Sequence, residues 1–222
     1  MRITVFGAAG NVGSRVVTEA LTRGHDVTAV VRDPARFGEL HPEATHRAGD
    51  AGVPEHIAEL SAGQDLVVNA TRPAPGHENQ HAAVSRALLD GLARAGGDVR
   101  LMIVGGAGSL TVPGKEAPGK GGGVLAIDDP AFVPTAWRHI ALASNEQFDA
   151  VRTADTEVDW TYVSPSALLE PGVRTGVYRL GADELIVDAE GNSSISMEDL
   201  AVALLDEAER PKHHRARFTV GY

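Results

Sequence analysis

Short apolar runs alternate along this chain with longer stretches in which apolar positions recur every three or four residues. Residues 3–6, Ile-Thr-Val-Phe, end at Gly7 and read as a buried parallel strand. A helical stripe follows at Val12, Val16, Val17, Ala20 and Leu21, with Gly24 placed to close it. Residues 26–31 predict a second strand, and Pro34 opens a short helix or turn. A weaker third strand is expected at 44–48 and a helix at 53–61. Residues 66–69 make the fourth strand, and a long helix over 77–95 carries Val84, Leu88 and Leu92 at spacing four. Residues 99–104, nearly all apolar, make the fifth. This rhythm predicts an α/β chain with a Rossmann-like, doubly wound parallel sheet, helices on both faces and right-handed crossovers.

The rhythm breaks at 105–130, which is rich in Gly and Pro and includes Gly119-Lys120-Gly121-Gly122-Gly123. That stretch reads either as a surface loop or as a mobile flap over a site. A helix over 135–153 and a strand over 160–163 resume the pattern. Residues 164–191 are looser, with a short hairpin expected around 178–187. A final helical stripe, Met197, Leu200, Ala201, Leu204, Leu205 and Ala208, leads to a last strand at 217–220. The expectation is one NAD(P)-binding domain over residues 1–222. Within it, 164–191 would form a small C-terminal lobe on the substrate side.

Composition narrows the partners. The 222 residues carry a formal net charge of −10, which repels phosphate backbones and anionic lipid and argues against nucleic acid or membrane as partner. There are no cysteines, so disulfides, thiol catalysis and Cys-ligated metal are excluded. No apolar run approaches a bilayer span, and the first residues read as a strand instead of a signal core. A cytoplasmic monomer or homodimer acting on a small molecule is expected.

The first strand–helix junction carries the clearest chemistry. Gly7-Ala8-Ala9-Gly10-Asn11-Val12-Gly13 gives Gly-x-x-Gly-x-x-Gly between a buried strand and an amphipathic helix. Gly7 permits the tight exit, Gly10 leaves room for a pyrophosphate and Gly13 lets the helix pack close. The helix N-terminus offers free N–H groups and a partial positive charge to phosphates. The cradle therefore comprises Gly7, Ala9, Gly10, Asn11, Val12 and Gly13. After the second strand, Val31-Arg32-Asp33-Pro34-Ala35-Arg36 puts Arg32 and Arg36 where an adenosine ribose would lie. A guanidinium there suits a 2′-phosphate, so NADP (as NADPH) is preferred; Asp33 leaves NAD possible. Asp50 ends the third strand region and reads equally as an adenine contact or a plain turn aspartate. At the carboxyl edge of the sheet, Ala70, Thr71 and Arg72, then Gly105 and Ser164, complete the expected groove.

These segments, together with Val104-Gly105-Gly106-Ala107-Gly108-Ser109-Leu110, Trp160-Thr161-Tyr162-Val163-Ser164-Pro165-Ser166 and Ile195-Ser196-Met197-Glu198-Asp199, resemble the NmrA-like and flavin-reductase-like group of atypical short-chain dehydrogenases. That group is related to biliverdin-IXβ reductase. The resemblance covers essentially the whole chain. It implies NADP(H) binding and, in catalytic members, hydride transfer to flavins, quinones or other small conjugated acceptors. It also implies a polar substrate-orienting residue after the fifth strand, here Ser109. The Tyr-x-x-x-Lys pair of typical short-chain dehydrogenases is missing from Trp137-Arg138-His139-Ile140-Ala141-Leu142-Ala143-Ser144. Its absence disfavours alcohol–ketone chemistry and epimerisation and leaves a non-catalytic NADP-sensing regulator as the alternative. His77 and His81 stand four apart without a helical His-Glu-x-x-His pattern, so no metal is expected.

Overall fold

The computed structural model describes residues 1–96, 98–117 and 122–222. The elements of the first half are β1 (Arg2–Phe6), α1 (Asn11–Thr22), β2 (Asp26–Val31), β3 (Thr45–Ala48), α2 (Pro54–Ser61), β4 (Leu66–Asn69), α3 (Gln80–Ala95) and β5 (Arg100–Val104). A short 3-10 turn, Pro34–Glu39, follows β2. The second half holds β6 (Thr111–Glu116), β7 (Gly123–Leu125), α4 (Arg138–Arg152), β8 (Trp160–Pro165), β9 (Leu168–Glu170), β10 (Arg179–Gly181), β11 (Ser194–Ser196), α5 (Met197–Glu209) and β12 (Ala216–Gly221).

Eight strands form the central sheet in the order β10-β12-β8-β5-β4-β1-β2-β3, parallel throughout except for β10. Apolar side chains on both faces of these strands require cover on both sides. Val16, Val17 and Ala20 of α1 and Leu200, Leu204 and Leu205 of α5 supply one layer. Ile57 of α2, Leu88 and Leu92 of α3 and Val151 of α4 supply the other. Phe6 pairs with Val30 on one side and Asn69 on the other, and Asn69 pairs with Ile103, so the carboxyl ends of the central strands are level. The chain leaves β1 toward β2 and returns to β4 on its opposite side. The crevice over Gly7 and Ala70 is thus a topological switch point, where open α/β sheets bind ligands.

Three expectations need correction. The described residues of 105–130 do not form an irregular loop: β6 and β7 pair antiparallel and a 3-10 turn, Ala126–Asp128, follows. Leu110, Val112, Ala126 and Leu185 close a small apolar cluster there, which gives the segment a core of its own despite its Gly and Pro content. The Gly119-Lys120-Gly121 part of the expected flap lies outside the described residues. The hairpin at 178–187 does not form. β10 pairs with β12, and Glu184 bridges to Thr111, because each half finds an edge elsewhere. Finally, α3 begins at Gln80. His77 sits in the preceding turn, where its carbonyl accepts from Gln80 N.

Candidate functional site

The turn after β1 is shaped by two contacts that no side chain could survive. Gly7 has φ +79°, and a Cβ there would lie 2.6 Å from the Ala70 carbonyl oxygen, so the turn rests directly on the β4 exit. A Cβ on Gly13 would lie 2.1 Å from the Gly7 carbonyl oxygen, which seats α1 against the turn. Gly10 differs, since its Cβ would meet the Gly7 carbonyl oxygen at 3.1 Å and then only the Ala70 carbonyl oxygen, at 4.0 Å. Gly10 is also the N-cap of α1, with no side-chain cap and no acidic residue in the first turn. The leading N–H groups of the helix, at Asn11, Val12 and Gly13, are those that helix geometry leaves without a carbonyl partner. Room above Gly10, open donors and the helix dipole together fit the pyrophosphate of a dinucleotide.

On the β2 side, Arg32 is exposed and forms no ion pair or hydrogen bond with another described residue. The Asp33 carboxylate is turned into the backbone, accepting from Ala35 N at 2.9 Å as cap of the 3-10 turn. Arg36 donates to Glu39 at 2.7 Å and approaches the Ala9 carbonyl at 3.4 Å. That Arg36 hydrogen bond holds the Glu39 carboxyl below its ordinary range. Asp50 behaves as a turn residue, with Oδ1 accepting from Gly52 N at 2.8 Å.

At the β4 exit the organising residue is one that the sequence reading passed over. Asn69 is fully buried, and its Oδ1 accepts from Thr71 Oγ1 at 2.7 Å and Thr71 N at 3.2 Å. Its Nδ2 is buried without a partner among the described residues. A polar residue closing the run Leu66-Val67-Val68 was the available signal. Arg72 beyond it is exposed.

The β5 and β8 ends are more closed. The Tyr162 ring fills the space that a Gly105 Cβ would need, 2.0 Å from its Cζ. Its hydroxyl donates to the Ser144 carbonyl at 2.9 Å with Gln147 Oε1 also in reach at 3.1 Å, and burial pushes the phenol far above its ordinary value. Two expected site residues are occupied or enclosed. Ser109 Oγ accepts from Arg217 Nη1 at 2.7 Å. Arg217 also donates to Asp183 at 2.9 Å and lies 4.4 Å over the Phe148 ring. Ser109 therefore locks its loop to β12 and does not stand free as an acceptor-orienting group. Ser164 is fully buried beside Thr219 on β12, and its Oγ reaches neither solvent nor a partner among the described residues, so it offers no hydroxyl to the groove. The structure thus gathers Gly7, Ala9, Gly10, Asn11, Val12, Gly13, Arg36, Ala70 and Thr71 around one crevice and leaves Ser109 and Ser164 out of it.

His81 is buried in the first turn of α3, and burial, then the charge of Arg72, lowers its pKa. Among the described residues no group of three His, Cys, Asp or Glu side chains is arranged to hold a metal ion. No described helix is long and apolar enough to cross a membrane.

A family model described as NAD(P)H-binding matches residues 7–211. The uncharacterized protein YwnB of Bacillus subtilis is 39% identical over 221 residues, 99% of this chain and 98% of its own. The crystal structure of a proposed exported protein from Burkholderia pseudomallei is 41% identical, with a TM-score of 0.85 and 100% of both chains covered. That of a proposed NADH-flavin reductase from Streptococcus pneumoniae is 29% identical, with a TM-score of 0.82 over 100% of this chain and 99% of its own.

Proposed function

The chain belongs to the NAD(P)H-binding family, and on that footing we propose that it is an NADPH-dependent reductase of a small conjugated acceptor such as a quinone or flavin. The observation that carries the cofactor preference is the pairing at the β2 end. Arg32 has no partner among the described residues, while one oxygen of the neighbouring acid, Asp33, is turned to Ala35 N as a cap. A carboxylate aimed at the ribose would read its hydroxyls and repel a 2′-phosphate; here Asp33 Oδ1 is directed into its own turn, and the guanidinium is the unengaged group. The bound dinucleotide supplies a hydride. The turn from Gly7 to Gly13 holds its pyrophosphate through backbone N–H groups, and Arg36 flanks the adenosine side through its contact with Ala9. Ala70 and Thr71, fixed by Asn69, form the floor. The acceptor lies over the β5 exit, with residues 164–191 as the substrate-side wall.

The reductase resemblance of the Streptococcus pneumoniae protein supports the same reading. Calorimetric titration with NADPH and NADH, followed by NADPH oxidation with a panel of quinones and flavins, tests it. The expected result is tighter binding of NADPH and steady turnover with at least one acceptor. Tight NADPH binding without turnover would leave a nucleotide sensor instead.

A further inference from the structure

Reduction of a quinone by hydride leaves an anionic oxygen that must be protonated, and the Tyr-x-x-x-Lys pair that serves carbonyl chemistry is missing here. Tyr162 cannot replace it, because its hydroxyl is tied to Ser144 and Gln147 beneath Gly105. Ser109 is held by Arg217.

Among the described residues a titratable pair lies at the carboxyl edge between α3 and α4. His139 Nε2 lies 3.7 Å from Glu78 Oε1, joining the first turn of α4 to the loop after β4. The two side chains differ in exposure: His139 is 60% exposed and Glu78 only 13%. The same Glu78 oxygen, Oε1, accepts from Gly76 N at 3.0 Å, which fixes the carboxylate's place. Backbone N–H groups of Glu78 itself and Gly76, then the charges of His139 and Arg72, keep its carboxyl below the ordinary range. His139 continues the stripe Ala143, Gln147 and Val151 that α4 buries, one turn beyond the point where burial ends. The same end of α4 stands on the β5 exit: a Cβ on Gly106 would lie 2.9 Å from Ser144 Cβ, and one on Gly108 3.1 Å from Ala141 Cβ. The other charged or titratable groups facing this corner are Arg72 and His77 on the β4 loop, His81 on α3 and Arg138 on α4. Arg138 is engaged with Asp128.

Resting on the reductase reading, we infer that His139, oriented by Glu78, is the proton donor to the reduced acceptor. In the step, the acceptor takes a hydride from the reduced nicotinamide. The N–H bond of protonated His139 breaks, an O–H bond forms on the hydroquinone anion, and solvent returns the proton to the imidazole. An exposed ring with one nitrogen within ion-pair distance of a fixed carboxylate can turn its other nitrogen toward a ligand and still exchange with water.

The test uses the full-length protein with NADPH and menadione. His139→Ala should lower kcat about a hundredfold with the NADPH dissociation constant unchanged, and added imidazole should restore much of the rate. Glu78→Gln should give a smaller loss that imidazole does not repair. Independently of turnover, modification of His139 by diethyl pyrocarbonate, followed by mass spectrometry, should slow several-fold when NADP+ and menadione are bound. A parental rate in His139→Ala, a loss that imidazole cannot rescue, or unprotected labelling each removes the inference and leaves the reductase reading standing. A parent protein that oxidises no NADPH with any quinone or flavin removes both, and that is seen before any variant is made.

Discussion

The two ends of the proposed cofactor groove are built from different materials. At the β1–β2 end the groups on offer are backbone donors and Arg32, which has no partner among the described residues, with glycines in place of side chains at the turn. At the β5–β8 end the polar groups nearest the exit are engaged, Ser109 by Arg217 and Tyr162 by Ser144 and Gln147, while Ser164 is buried beneath them. The first arrangement is suited to a ligand that brings its own charge, since open N–H groups and a dipole need a phosphate to satisfy them. The second is suited to a ligand positioned by shape, with hydrogen bonds kept inside the protein to hold the walls. A dinucleotide with a variable acceptor presents these two halves in the same order.

The sharpest way to break this comparison lies in the glycines. Gly13→Val drives side-chain atoms into the Gly7 backbone, 2.1 Å from its carbonyl oxygen already at Cβ. It should cost more than about 3 kcal/mol of stability, seen as a large fall in the urea midpoint. Gly10→Val places its atoms in the open cradle beyond a single 3.1 Å contact. It should keep most of the midpoint and lose NADPH binding in a calorimetric titration. If Gly10→Val binds NADPH like the parent, the cradle is not the phosphate site.

The next largest effect tests the closed end. Arg217 has only 7% of its side chain exposed and joins Ser109, Asp183 and the Phe148 ring. Arg217→Ala should cost about 2–3 kcal/mol, from lost packing and a lost cation–π contact. The NADPH dissociation constant should stay within experimental error. A drop in NADPH affinity without a drop in stability would make the Ser109 corner part of the cofactor site after all.

How much of this was legible in the sequence follows the same division. The βα order, the strand positions and the glycine turn were readable because each rests on local pattern: apolar runs, helical stripes and a fixed spacing before a helix. The engagement of Ser109 was not, because Arg217 lies 108 residues away and only the β12–β8 pairing brings it near. Burial of Ser164 depends equally on its neighbour Thr219 across strands. The β6–β7 pair was hidden by glycines and prolines that usually mark loops, and its apolar cluster needs Leu185 from a distant segment. Asn69 looked like the end of a strand, while its service to Thr71 depends on the chain turning sharply after it. His139 gave no signal at all until Glu78 was seen beside it.

Arg32 sharpens the open end. A charge-assisted contact to a phosphate is worth roughly 1.5–3 kcal/mol, or about ten- to a hundredfold in affinity. Arg32→Ala should weaken NADPH by that factor and leave NADH nearly unchanged, since NADH has no phosphate at the ribose. Paired dissociation constants decide it. Equal losses would mean that the guanidinium stacks on adenine.

The smallest effect concerns Glu39, and it separates a charge that binds from a charge that is merely near. Arg36 donates to both oxygens of Glu39, at 3.0 Å from Nε and 2.7 Å from Nη2, while reaching the Ala9 carbonyl at 3.4 Å. The pair is exposed, so it contributes little to folding, and its charges cancel where a 2′-phosphate would sit. Glu39→Gln removes the negative partner, keeps the side chain's size and leaves Arg36 uncompensated beside the turn. NADPH should then bind about two- to threefold more tightly at low salt. The gain should fade at high salt, because the charges involved are in water and are screened. NADH should not respond, and the unfolding midpoint should not move. The measurement is the dissociation constant of each cofactor for parent and variant at two ionic strengths. A gain for both cofactors would place the effect on the shared pyrophosphate. A gain that survives high salt would mean that Arg36 makes a direct, shielded contact once Glu39 releases it, and the 2′-phosphate would then be held by two arginines instead of Arg32 alone.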